Sequence, residues 1–183
     1  MKAPRPARSL KARALQWLAQ REQSRSELQR KLLPHALAEA EAKALAEAEA
    51  EAEAGAPATD ASPAARVEAL LDWLEAHQYL SHERFAESRV NARAARYGNL
   101  RIRQELKQHQ VELSTEALQV LKDSELARAC AVLERKFTAS PASVAERAKR
   151  SRFLAGRGFS PEVIARALRA VRGQPGGDAA SDD

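Results

Sequence analysis

The sequence predicts an all-α protein built from thin, stacked helical units, and three observations lead there. Large apolar residues are scarce: of 183 residues 40 are alanine, while Leu, Ile, Val and Phe together number 35. That is too few for one thick core, but it suits helical layers with alanine at close contacts and leucine at anchors. No run alternates as a strand would, whereas apolar residues recur at helical spacing. Finally, two segments match at an offset of 136: Trp17-Leu18-Ala19-Gln20-Arg21-Glu22-Gln23-Ser24, then Leu28 and Leu32, and Phe153-Leu154-Ala155-Gly156-Arg157-Gly158-Phe159-Ser160, then Ile164 and Leu168. Each reads as a helix, a tight turn and a second helix. One such unit cannot bury its own apolar face, and stacked copies can.

The elements follow in order. Leu10, Ala14, Trp17 and Leu18 share one helix face. Ser24, with Glu27 three residues later, reads as a capping box that opens a second helix carrying Leu28, Leu32 and Leu33. Pro34 is expected to stop it. Ala36 to Ala54 is nearly alternating Ala and Glu, which gives high helix propensity but no apolar stripe wide enough to pack. It reads as either a solvated helix or a frayed one, within an insertion. Ser62-Pro63 caps a helix with Val67, Leu70, Leu71 and Leu74. Ser81 opens the next, with Phe85 and Val90, expected to close at Gly98 as a C-terminal glycine. Ile102 and Leu106 anchor another, Ser114 or Thr115 caps one with Leu118 and Leu121, and Leu126, Cys130 and Leu133 continue the pattern to Phe137. Val144, Ala148 and Phe153 lie in one helix, and Ser160-Pro161 opens the last, with Ile164, Leu168 and Val171. The expected division is the first part of repeat 1 over 8–35, an Ala/Glu-rich insertion or linker over 36–60, the remainder of repeat 1 and a middle repeat over 61–122, a C-terminal repeat over 123–172, and a disordered tail over 173–183.

Charge narrows the function. The net of +5 hides −5 between Glu39 and Glu53 and −3 after Arg172, so the rest of the chain carries +13. A body that basic suits an anionic partner. Arg89, Arg93 and Arg96 fall at i, i+4 and i+7, with Arg101, Arg103 and Lys107 following. A second cluster is Arg147, Lys149, Arg150, Arg152 and Arg157. Each cluster is either a solvated face or a surface for phosphates and acidic side chains. The second helices of the repeated units show no set of Asn, Gln and Arg arranged for base edges, which disfavours sequence-specific DNA reading.

Catalysis has little support. His35, His77, His82 and His109 show no metal spacing, and Gly156-Arg157-Gly158 is too short to cradle a nucleotide. Cys130, the one cysteine, sits on a helix face as a buried structural residue. No catalytic residue, metal or cofactor is expected. No apolar run is long enough to span a membrane, and no signal peptide is evident, so the expected location is cytoplasmic.

The same residues resemble the RecX family, regulatory proteins of the RecA recombinase. The resemblance is carried by Phe153-Leu154, Arg157-Gly158-Phe159-Ser160 and Ile164 at the end. In the middle it is carried by Arg84-Phe85-Ala86, Arg101-Ile102 and Glu105-Leu106. At the start the matching residues are Leu15, Leu18, Arg21, Ser24, Glu27-Leu28 and Lys31-Leu32. Ser81 and His82 stand where the family usually has an acidic pair, and His35 and Gln110 where a helix-ending glycine is common. The resemblance implies an elongated array of tandem three-helix repeats. It implies a monomer that binds RecA and its nucleoprotein filament, with contact to DNA phosphates, and mostly inhibits recombinase and co-protease activity in DNA repair, homologous recombination and the SOS response. The alternatives are a nonspecific DNA-binding helical protein and a purely structural helical adaptor. The expected filament-binding residues are Arg89, Arg93 and Arg96, with Arg101, Arg103, Arg150 and Arg152; the expected packing anchors are Trp17, Phe85, Ile102, Leu106, Phe153 and Phe159.

Overall fold

The computed structural model describes residues 8–51, 61–137, 141 and 143–172. Among them are nine helices: α1 (Leu10–Gln20), α2 (Arg25–Glu51), α3 (Pro63–Ala76), α4 (His82–Ala94), α5 (Asn99–Gln108), α6 (Thr115–Asp123), α7 (Glu125–Lys136), α8 (Val144–Ala155) and α9 (Pro161–Arg172). No strand occurs among the described residues. The chain divides into two compact units, Met1–Phe85 and Ala86–Asp183. The expected disordered tail, and residues 52–60 of the expected insertion, lie outside the described residues.

In the first unit, hydroxyl caps start the helices. The Ser9, Ser24 and Ser62 Oγ atoms accept from the N–H groups of Ala12, Glu27 and Ala65 at 3.3, 3.1 and 3.2 Å. Helices α2 and α3 bury Leu28, Leu32, Val67, Leu71 and Leu74 in one core with Leu10 and Ala14 of α1; Trp17, Leu18 and Trp73 pack on its edge. Arg25 locks the start of α2 to α3 by donating to Glu68, Asp72 and Glu75 at 2.6, 2.7 and 2.8 Å.

Pro34 does not end the second helix. Helix α2 runs through it to Glu51. Proline removes one helical hydrogen bond and crowds the preceding turn, but it does not forbid the helix when packing holds both sides. Here Leu28 and Leu32 before it, and Ala36 after it, are fully buried in the same core, and Glu39 accepts from Arg66 of α3 at 2.9 Å. The first turn of the Ala/Glu segment is therefore part of the packed body, while Leu37 and Leu45 face outward. Pro34 itself is exposed, so Pro34→Ala should restore the hydrogen bond without disturbing the core and stabilise the unit by about 1–3 kcal/mol. A urea midpoint that does not rise would show that the proline helix carries no strain.

In the second unit, Ala129, Val132 and Leu133 of α7 form a core with Leu154 of α8, Phe159, and Val163, Ile164 and Ala167 of α9. Ile102 and Leu106 of α5 are buried, as is Phe85 at the end of the first unit. Phe153 is half-buried, set edge-on to Phe137 with ring centroids 5.4 Å apart. The Ser160 Oγ accepts from the Val163 N–H at 3.4 Å, the same role that Ser24 plays 136 residues earlier. Gln110, where the family usually has glycine, has φ of +58°, the left-handed conformation that glycine adopts most readily. His35, the other such position, lies inside continuous α2.

Gly98 has a different role from the expected one. Helix α4 ends at Ala94, and Gly98 is the N-cap of α5. Its N–H donates to the Arg157 carbonyl at 3.0 Å, and the Leu100 N–H donates to the Gly158 carbonyl at 3.0 Å. The turn between α8 and α9 is thus bonded backbone to backbone onto the start of α5.

Candidate functional site

The expected basic face of α4 is largely consumed within the fold. Glu105 of α5 accepts from Arg89 at 3.3 Å and from Arg93 at 3.0 Å. That pairing raises the Arg93 pKa, through the hydrogen bond first and the charge second. Arg150 is 4% exposed, with its guanidinium 4.8 Å from the centre of the Phe137 ring, which is a packing position. Arg152 is exposed on α8. Arg103 is exposed on α5 and lines a separate recess with Leu100, Leu106 and Lys107.

Arg96 and Arg101 have another setting. They open onto a cleft of about 480 Å³ shared by the turn after α4, α5, the end of α7, and the α8–α9 turn. Its cations are Arg96, Arg101, Arg135, Lys136 and Arg157, and no acidic residue lines it. Arg135 is committed to structure, donating to the carbonyls of Ala95 and Ala131. Arg96, Arg101, Lys136 and Arg157 have no acidic partner among the described residues. Two of the guanidiniums are seated on aromatic rings: Arg101 lies 4.9 Å from the Tyr97 centroid and Arg157 3.8 Å from the Phe153 centroid. Stacking restricts these long side chains.

The wall of the cleft is held by Arg128 of α7. It donates to the carbonyls of Tyr97, Leu121 and Ala94 at 2.9, 3.0 and 3.3 Å, and to the Asn99 side chain. Burial pushes its pKa down, opposed by Glu125. Glu125, itself 4% exposed, accepts from the Asn99 N–H at 2.9 Å. Together these bonds satisfy the carbonyl end of α4 and fix the turn that carries Arg96 and Tyr97.

The lining of the cleft is cationic, with no nucleophile or metal-holding group in it. Burial pushes the Cys130 thiol pKa up, away from a reactive thiolate. No group of three His, Cys, Asp or Glu among the described residues is placed to hold a metal. Sequence reading named Arg96 and Arg101 and noted Arg157 within a cluster, but it missed Arg135 and Lys136. Their only linear signal is two adjacent cations at the end of α7, which is also what any helix C-terminus favours.

Comparison with known proteins gives consistent results. Residues 81–115 match the second three-helix domain of RecX, and residues 123–168 match the third. The chain is 46% identical to the regulatory protein RecX of Ralstonia nicotianae, over 100% of this chain and 97% of that protein. It is 44% identical to that of Ralstonia pickettii (92% and 91% covered) and 46% identical to that of Herbaspirillum seropedicae (91% and 93%). Those proteins are named as regulators rather than enzymes, and they match this all-helical chain along nearly its whole length. The chain therefore belongs to the RecX family.

Proposed function

We propose that this protein binds RecA, chiefly as the RecA–DNA filament, and restrains its recombinase and co-protease activities. Family membership carries the reading, and the second unit supplies a surface suited to it. A nucleoprotein filament offers acidic side chains and DNA phosphates side by side, and four acid-free cations in one cleft can engage such a surface. The protein acts as a cytoplasmic monomer in recombination, repair and the SOS response. No helix among the described residues is long and apolar enough to cross a membrane, which is compatible with that setting.

The test is DNA-dependent ATP hydrolysis by RecA with substoichiometric protein added, together with co-sedimentation on filaments. Inhibition and co-sedimentation are expected; no change in hydrolysis and no binding would remove the proposal. Arg93→Glu is a poor probe, because it would set a second carboxylate against Glu105 and disturb packing. The double variant Arg96→Glu/Arg157→Glu touches no internal ion pair among the described residues and should weaken inhibition by about tenfold or more at unchanged helical content. Full inhibition by that variant would separate the cleft from function. The alternative, a nonspecific DNA-binding protein, is motivated by the +13 body. It requires tight binding to bare DNA without RecA and a steep salt dependence.

A further inference from the structure

We infer that the recess between α5 and α6 is a docking groove for an amphipathic helix of a partner protein, one whose apolar stripe is flanked by carboxylates. The inference goes beyond the function proposed above: it gives the second unit a protein-binding face distinct from the cationic cleft.

Residues at i, i+3, i+4 and i+7 share one face of a helix, and on α5 these are Leu100, Arg103, Gln104 and Lys107. All four line a recess of about 890 Å³, larger than the cationic cleft. Leu118 of α6, with Val111 and Leu113 of the connection between the two helices, completes its apolar lining. Arg101, which opens onto the cleft, is turned about 100° around the helix axis from Leu100, so the two recesses use different faces of α5. Single exposed leucines are ordinary. Here Leu100 is 53% and Leu118 36% exposed, and both border the same recess as the buried Leu106 and Val111. A contiguous apolar surface with a polar rim marks an interaction site.

Shape and charge select the occupant. A groove with leucines this exposed does not enclose a small molecule, which loses most of its surface to its site. It suits an element that buries one face and leaves the other in water. No strand occurs among the described residues for an extended peptide to pair with. The stripe from Leu100 to Lys107 rises about 10 Å, or about two helical turns, which matches anchors at i, i+4 and i+7 of an incoming helix. Arg103 and Lys107 are exposed on its rim, and neither has an acidic partner among the described residues. Glu105 of the same helix is engaged with Arg89 and Arg93. Glu112 is the carboxylate of the lining, so the rim stays net positive and favours an acidic flank.

The experiment uses the full-length protein without RecA. Fluorescence anisotropy follows two labelled alanine-based helical peptides of about 16 residues. Both carry Leu at i, i+4 and i+7; one has Glu and the other Lys at the flanking positions. The Glu peptide should bind about tenfold tighter than the Lys peptide. Leu100→Ser/Leu118→Ser should weaken its binding about tenfold or more at unchanged helical content. Val120→Ser, at a position 70% exposed on α6 outside the groove, should leave it unchanged. Arg103→Glu/Lys107→Glu should reverse the preference between the two peptides. Failure of both peptides to bind at about 1 mM protein, equal affinity for the two, or equal losses in the Val120 and leucine variants would overturn the inference. So would sedimentation velocity showing wild-type dimers that Leu100→Ser/Leu118→Ser lacks, which would assign the groove to a second copy of the chain. The leucine variant should still inhibit RecA as fully as the wild type. Inhibition lost together with peptide affinity would overturn the inference by making the groove part of the RecA contact, with the proposed function intact. Peptide binding in the groove by a wild type that leaves RecA unaffected would sustain the inference and remove the proposed function.

Discussion

Gly98→Ala should destabilise the second unit by about 3 kcal/mol or more, and abolish the cleft with it. A Cβ at position 98 would fall well inside contact distance of the Gly158 carbonyl and the Phe159 N–H, both backbone groups that cannot swing aside. The reciprocal position is as tight. Gly158 has φ of +79°, and a Cβ there would meet the Arg101 Cβ at 2.6 Å and the Arg101 N at 2.7 Å. The two backbones must therefore separate, and with them go the bonds from Gly98 to Arg157 and from Leu100 to Gly158. Those bonds set Arg157 across from Arg101, so anion binding should fall together with stability.

The measurement has a built-in control. Both tryptophans, Trp17 and Trp73, lie in the first unit. Intrinsic tryptophan fluorescence during urea unfolding therefore follows Met1–Phe85, while far-ultraviolet ellipticity follows helices of both units. Gly98→Ala should shift the ellipticity transition to lower urea and leave the fluorescence transition close to that of the wild type. An unchanged ellipticity midpoint would mean that the two backbones do not meet.

Helix existence was written in the sequence because its signals are local. Ser62 and Ser114 each accept the N–H three residues on, as their positions before an apolar-periodic run imply. The repeat was legible for the same reason: Ser24 and Ser160 open equivalent helices at the same offset. Two errors arose where tertiary contacts decide. Pro34 signals a stop, but Ala36 is buried against α3 and holds the helix through it. Gly98 signals a helix end, but it is required by a turn 60 residues away. The site was only half visible. Spacing along α4 suggested one basic face from Arg89 to Arg96, yet Glu105, on another helix, neutralises its first two members. The cleft draws Arg96, Arg101, Lys136 and Arg157 from four separate elements, and no single periodicity can show that convergence.

Phe159 and Phe153, six residues apart, should lose unequal stability on truncation. Phe159 is 2% exposed and sits in the core formed by α7, α8 and α9. Phe159→Ala removes a whole ring from close packing and should cost about 3–5 kcal/mol, read from urea unfolding by ellipticity. The sequence leads one to expect Phe153 as a packing anchor beside it, and a fully buried ring there would cost as much. Phe153 is instead half-buried, with its edge against Phe137 and Arg157 over its face. Part of the ring's burial and one aromatic pair are lost on truncation, so Phe153→Ala should cost only about 1–2 kcal/mol. Its larger effect should be on the proposed inhibition of RecA. Without the ring, the Arg157 side chain loses its seat and regains rotamer freedom, and inhibition of DNA-dependent ATP hydrolysis by RecA should weaken about three- to tenfold. Equal stability losses in the two variants would place Phe153 in the core. A Phe153→Ala protein that is slightly less stable but inhibits RecA as fully as the wild type would show that stacking on the ring does not prepare Arg157 for its role.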